Sequence, residues 1–164
     1  MIRSCATADA EQICAIYNHY VRTTVVTFEE ESVTDIEMAR RIGEIGTSLP
    51  WLVWEEDARI LGYAYAAPWK LRAAYRSSVE ATVYLEPSAV GQGIGTQLYR
   101  ALISELKERG IHAVVGGIAL PNDASVALHE RFGFVKIGQF REIGWKHGKW
   151  VDVGYWELLL SRNT

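Results

Sequence analysis

The fold is decided by one stretch, Val79-Glu80-Ala81-Thr82-Val83-Tyr84-Leu85 followed by Glu86-Pro87-Ser88-Ala89-Val90-Gly91-Gln92-Gly93-Ile94-Gly95-Thr96. In its first part Glu80, Thr82 and Tyr84 alternate with Val79, Ala81, Val83 and Leu85, as in a strand with two different faces. After the glycines, Ile94, Leu98, Leu102 and Leu106 recur at four-residue spacing up to Gly110, the stripe of an amphipathic helix stopped by glycine. The reading is strand, glycine loop, helix. Glycines let a backbone turn sharply and approach a ligand, and the free amides of a helix start attract phosphate oxygens.

Of two phosphate-loop readings, one fails and the other is weak. A Walker loop needs Lys and then Ser or Thr after its last glycine, and Gly95-Thr96 supplies no Lys. A dinucleotide fingerprint has Gly-x-Gly-x-x-Gly after a first strand, whereas this loop is Gly-x-Gly-x-Gly and lies in mid-chain. On its own the loop fits a ligand cradle and a close-packing turn equally well.

Working toward the N-terminus, Trp51–Trp54 and Ile60–Ala67 read as a hairpin around Glu55-Glu56-Asp57, closed by Pro68. Thr34 to Glu37 reads as a capping box opening a helix over 35–46. The β-branched run Thr23–Phe28 follows a helix over 8–22, in which Ile13, Ile16, Tyr17, Tyr20 and Val21 share a face. Residues 2–5 form a first strand, and Trp69–Ser78 is a basic and aromatic loop. Toward the C-terminus, Ile111–Ile118 is a strand and Pro121-Asn122-Asp123 opens a helix over 124–131. Phe134–Phe140 and Trp150–Leu160 are strands joined by a long polar connection with Gly144 and Gly148. This order predicts one α/β domain over 1–164 with a mixed sheet.

Composition narrows the function. Hydrophobic residues are 49% and charged residues 23%, ordinary globular usage that excludes disorder. Lys plus Arg number 17 against 20 Asp plus Glu, a net charge of −3, so neither nucleic acid nor an anionic membrane is an expected partner. Cys5 and Cys14 are read as reduced thiols, and His19, His112, His129 and His147 have no metal-ligand spacing, so no metal is expected. The start lacks a signal peptide's apolar core, and the expected location is the cytoplasm.

Val83-Tyr84-Leu85-Glu86-Pro87 with Val90-Gly91-Gln92-Gly93-Ile94-Gly95-Thr96-Gln97-Leu98 resembles the acyl-CoA signature of the GNAT N-acetyltransferases, Arg/Gln-x-x-Gly-x-Gly/Ala. Asn122-Asp123-Ala124-Ser125 and Leu128-His129-Glu130-Arg131-Phe132-Gly133-Phe134 are similar to the superfamily's second signature. Pro50-Trp51-Leu52-Val53, Ala67-Pro68-Trp69-Lys70, Arg72-Ala73-Ala74-Tyr75 and Lys146-His147-Gly148 extend the resemblance to the phosphinothricin and methionine sulfoximine acetyltransferases over nearly the whole chain. One departure is Val90, where the signature has Arg or Gln.

The resemblance implies a GNAT fold, a mostly antiparallel twisted sheet of about seven strands with about four helices. It implies acetyl transfer from acetyl-CoA to the α-amine of a small amino acid, and a homodimer. For the cosubstrate it implicates Val83, Leu85, Gly91, Gln92, Gly93, Ile94, Gly95, Thr96, Asn122 and Ser125. Glu80 is the expected base, because α-amines with reference pKa of about 7.7–8.0 are largely protonated at neutral pH. His129 or Tyr84 is the expected acid for the departing thiolate, and a backbone amide from Val83 to Leu85 the expected donor to the carbonyl oxygen. Phe28, Lys70, Leu71, Arg72, Tyr75 and Arg76 are the expected acceptor wall, the cations facing its anionic groups. The competing readings are acetylation of a protein N-terminus or other amine, and a non-catalytic CoA-binding module.

Overall fold

A computed structural model describes residues 1–160. Its strands are β1 (Ile2–Ser4), β2 (Trp51–Glu56), β3 (Arg59–Pro68), β4 (Ser78–Leu85), β5 (Ala113–Leu120), β6 (Val135–Lys146) and β7 (Lys149–Leu159). They form one seven-stranded sheet in the order β1-β2-β3-β4-β5-β7-β6. The α-helices are α1 (Ala10–Thr23), α2 (Asp35–Gly46), α3 (Ile94–Glu108) and α4 (Asp123–Arg131). The mixed, mostly antiparallel architecture expected from the resemblance is present.

The two-faced strand at 79–85 explains the layering. Val79 and Ala81 join the core that α3 closes with Leu98, Leu102 and Leu106. Tyr84 on the other face packs against the core of α1 and α2, which contains Ile13, Val21, Met38 and Ile42. Each fully buried leucine of α3 contributes about 1.5–3 kcal/mol relative to an exposed one, so the four-residue ladder is what holds this helix to the sheet.

Every neighbouring pair of strands is antiparallel except β4 and β5. These two are parallel and pair only at Ser78↔Ala113, Val79↔Val114 and Glu80↔Val115. β5 stays paired with β7 to Leu120↔Asp152, and β4 with β3 from Pro68↔Val79 to Gly62↔Leu85. The sheet therefore parts in its middle, just after Glu80, leaving the facing edges of Ala81–Leu85 and Gly116–Leu120 unpaired with each other.

Thr23 ends α1, and Thr24 Oγ1 donates to Tyr20 O at 2.8 Å, so the β-branched run that follows the helix continues as a loop. Two local expectations are corrected. At Thr34 the capping box is half made, since Thr34 Oγ1 accepts from Glu37 N at 3.2 Å while the Glu37 carboxylate is drawn off by Arg40 and Arg41. The long polar connection before Trp150 is strand, because β6 runs on to Lys146 and meets β7 through a two-residue turn. His147 and Gly148 both have positive φ there, 50° and 72°, as a tight hairpin turn requires. A bulge between Phe140 and Gly144 breaks the alternation that would have revealed the strand.

Candidate active site

The parting of β4 and β5 opens into a cavity of about 730 Å³. Val83 and Leu85 line one wall, Gly91, Gly93, Gly95 and Thr96 the glycine-loop end, and Asn122, Ser125 and His129 the α4 side. Gly91 and Gly93 have φ of +85° and +79°, a region that L side chains rarely adopt, and no atom lies within 4 Å of a Cβ built on either. Among the described residues, the amides of Gly91, Gly93, Ile94, Gly95 and Thr96 donate to no carbonyl or side chain in the loop. The loop thus delivers free donors at the positive end of α3. A diphosphate fits those donors and a narrow arm fits the mainly apolar slot between the strands, so the residues present suit a CoA thioester.

Most of the expected cosubstrate residues meet here. Gln92 and Ile94 are the exceptions in their side chains: Gln92 Nε2 folds back to donate to Ser88 O at 2.8 Å, and Ile94 is buried in the core. Val90 is exposed at the cavity wall, where it offers an apolar surface in place of a charged one. Asn122 Oδ1 caps α4 by accepting from Ser125 N at 3.1 Å, leaving its amide nitrogen for other partners. Tyr20 and Val26 also line the cavity, a contribution from α1 and its following loop that sequence reading missed. Tyr20 Oη donates to Leu85 O at 2.6 Å across a gap of 65 residues, a contact with no local signature.

Glu80 sits where the strands part, on the sheet face opposite His129. Its Oε1 lies 3.1 Å from the position a Cβ on Gly117 would take, with the Tyr155 ring beside the same glycine. It is therefore not a solvated strand-end carboxylate. Burial pushes its carboxyl above the usual carboxylate range, and the Lys70 charge draws it partly back. Lys70 Nζ lies over the Trp69 ring at 4.9 Å, and Trp69 meets Tyr155 edge-on at 5.8 Å.

The two acid candidates are placed differently. His129 is 4% exposed, and its Nδ1 lies 2.7 Å from Ser125 O, which can only accept. Nδ1 therefore carries the proton and Nε2 accepts from Tyr99 Oη at 2.8 Å. Burial lowers the His129 pKa, so the ring is neutral with its proton committed to a carbonyl, an arrangement that opposes donation from Nε2. A Cβ at Gly116 would run into this ring, so the site depends on a bare backbone there. Tyr84 stands among Tyr17, Tyr20 and Tyr63, with ring centroids 5.2–5.6 Å away. Burial raises its phenol well above the ordinary value.

None of the expected acceptor residues lines the cavity. Lys70 is coupled to Glu80, as described, and Phe28 packs over Gly144 of β6 on the face that Glu80 occupies. Arg72, Tyr75 and Arg76 are exposed on the loop entering β4, and Leu71 on that loop is 99% exposed, touching no wall. The cavity itself reaches through the parting to the Glu80 face, where Tyr20, Val26, Thr82 and Tyr84 line it.

The family model described as an acetyltransferase (GNAT) domain matches residues 2–154. The chain belongs to the GNAT acetyltransferases. Within this family it is 42% identical over 156 residues to a phosphinothricin N-acetyltransferase of Streptomyces viridochromogenes, covering 95% of this chain and 85% of the relative. It is 35% identical to the L-methionine sulfoximine/L-methionine sulfone acetyltransferase of Salmonella typhimurium, over 99% of this chain and 96% of that one. A crystal structure of a GNAT superfamily phosphinothricin acetyltransferase from Sinorhizobium meliloti in complex with AcCoA superposes with a TM-score of 0.95 at 35% identity, covering 100% of this chain and 90% of that one. This GNAT protein is an acetyl-CoA-dependent N-acetyltransferase. Acetyl-CoA, when bound, supplies an acetyl group activated as a thioester.

Proposed function

We propose that this enzyme acetylates the α-amino group of a small amino acid of the phosphinothricin, methionine sulfoximine or methionine sulfone type. One observation carries the reading: a half-buried carboxylate, Glu80, at the point where the strands part and the cavity opens, beside a cationic loop. The relatives named for these acceptors are similar over nearly the whole chain.

In the proposed reaction Glu80 takes a proton from the incoming ammonium, directly or through one water, and the freed nitrogen attacks the acetyl carbon. Backbone amides between Val83 and Leu85, on the unpaired edge of β4, donate to the carbonyl oxygen as it gains charge. The C–N bond forms and the C–S bond breaks, and the second proton that the attacking nitrogen gives up passes to solvent. Glu80, its pKa raised by burial, returns the proton it took from the amine toward the departing sulfur. His129, with Tyr99 behind it, shapes the slot as a neutral side chain. Arg72 and Arg76 pair with the acceptor's carboxylate and second polar head.

We place the enzyme in the cytoplasm as one domain, and read it as a homodimer. The edge strand β6 is long and carries exposed Val135, Ile137, Phe140, Ile143 and Trp145, with Trp150 on β7, an apolar patch that a second copy would cover. Light scattering should give twice the 18.4 kDa chain mass, and a monomer at micromolar concentration would overturn this reading.

A thiol-release assay with acetyl-CoA across amino acids, their sulfoximine, sulfone and phosphinic analogues, and peptides tests the acceptor. Turnover is expected on the free amino-acid analogues. Turnover on peptides alone would move the assignment to protein N-termini, and acetyl-CoA binding without turnover would make this a binding module.

A further inference from the structure

We propose that Lys146, buried at the end of β6, is a positioning residue that sets the acceptor wall by pinning the segment that carries Phe28. This rests on the acceptor reading above. Lys146 is 2% exposed, and its Nζ donates to Thr27 O at 2.7 Å across 119 residues of sequence. Among the described residues this is the one hydrogen bond between the β6–β7 hairpin and the segment 24–33.

The register puts Lys146 where such a pin acts on the site. Gly144 pairs with Val151, Phe140 with Val153, and Lys146 with Lys149, while Val153 pairs with Ala119 and Tyr155 with Gly117. Directly paired residues share a face, so Gly144 and Lys146 lie on the face of Tyr155, Gly117 and Glu80. Thr27 is held by Lys146, and the next residue, Phe28, lays its ring where a Cβ on Gly144 would stand. Two positions earlier, Val26 lines the cosubstrate cavity. The segment therefore crosses the parted strands from one reactant to the other, and β6 clasps it at the acceptor end.

Other anchors tie the same segment elsewhere. Tyr17 Oη and Thr27 Oγ1 are 2.7 Å apart, Arg41 pairs with Glu29 at 2.7 Å, and Asn18 Oδ1 accepts from Val33 N at 2.8 Å. These fasten it to α1 and α2, and leave its seating on β6 to Lys146. Removing the Lys146 donor would leave the segment folded while freeing Phe28 from Gly144.

The test is a cycle of Lys146→Met, Phe28→Ala and the double variant, assayed with an acceptor that the unaltered enzyme uses. Lys146→Met should raise the acceptor KM about five- to tenfold, with kcat and the acetyl-CoA KM within about twofold. In the Phe28→Ala background the same change should add less than about twofold, because the residue it acts through is gone. An unaltered acceptor KM, or an effect undiminished without Phe28, would overturn the proposal. Should the methionine variant fail to fold, Lys146→Gln, too short to hold Thr27, takes the same reading. Hydrogen exchange separates this from the acceptor assignment: if no amino acid is acetylated, that assignment falls. Exchange in residues 24–33 that is faster in Lys146→Met, with residues 90–96 unchanged, then still supports the pin, and unchanged exchange overturns it.

Discussion

The two sides of the parting between β4 and β5 are built by different means. On the proposed cosubstrate side the groups offered are mostly main-chain amides, delivered by Gly91 and Gly93 at positive φ and by the first turn of α3. On the proposed acceptor side they are side chains brought from distant segments: Glu80 against Gly117 and Tyr155, Phe28 against Gly144, Lys146 against Thr27. Main-chain donors do not depend on the identity of a neighbouring side chain, whereas a wall of long-range side-chain contacts is open to tuning one residue at a time. The cosubstrate side is expected to keep its ligand while the acceptor side changes its preference.

Substitutions can sharpen or break that contrast. Tyr99→Phe tests a side-chain device on the cosubstrate side: it leaves the buried His129 Nε2 without a donor, and should lower stability by about 1–3 kcal/mol in thermal unfolding. Gly93→Val forces a β-branched residue to the loop's left-handed position, at roughly 1–2 kcal/mol. Calorimetry should show acetyl-CoA binding weakened about tenfold with the acceptor KM little changed. Arg72→Ala should do the reverse, raising the acceptor KM about fivefold and leaving acetyl-CoA affinity as it was. If both constants moved together in either variant, the two sides would not be separate.

The smallest effect is on pH dependence. Glu80 must be ionised to accept a proton, and burial raises its pKa, so kcat/KM should fall as pH drops through that raised value. Lys70 holds the pKa down, so Lys70→Met should move the acid limb to higher pH. A limb that stays put or moves lower would remove Lys70 from Glu80's surroundings.

What could be read from sequence follows the same division. The alternation at 79–85 and the leucine ladder after Gly95 are local, and they gave the strand, the loop and the helix in their places. The parting of the strands was not legible, because it depends on where pairing with β5 stops, and no residue in 79–85 signals that. Glu80 stands out in the sequence only through the family resemblance, while the burial that raises its pKa, beside Gly117 and Tyr155, comes from far along the chain. The β6 bulge hid Gly144 and Lys146 inside an apparent loop.

Acetyl transfer as proposed depends on Glu80 accepting the proton of an amine that attacks through the parted strands. The direct test is turnover of Glu80→Gln with both substrates saturating, beside its acetyl-CoA affinity. Turnover should fall by about 10²- to 10⁴-fold with affinity kept within about twofold. A variant that turns over at nearly the unaltered rate would contradict the claim.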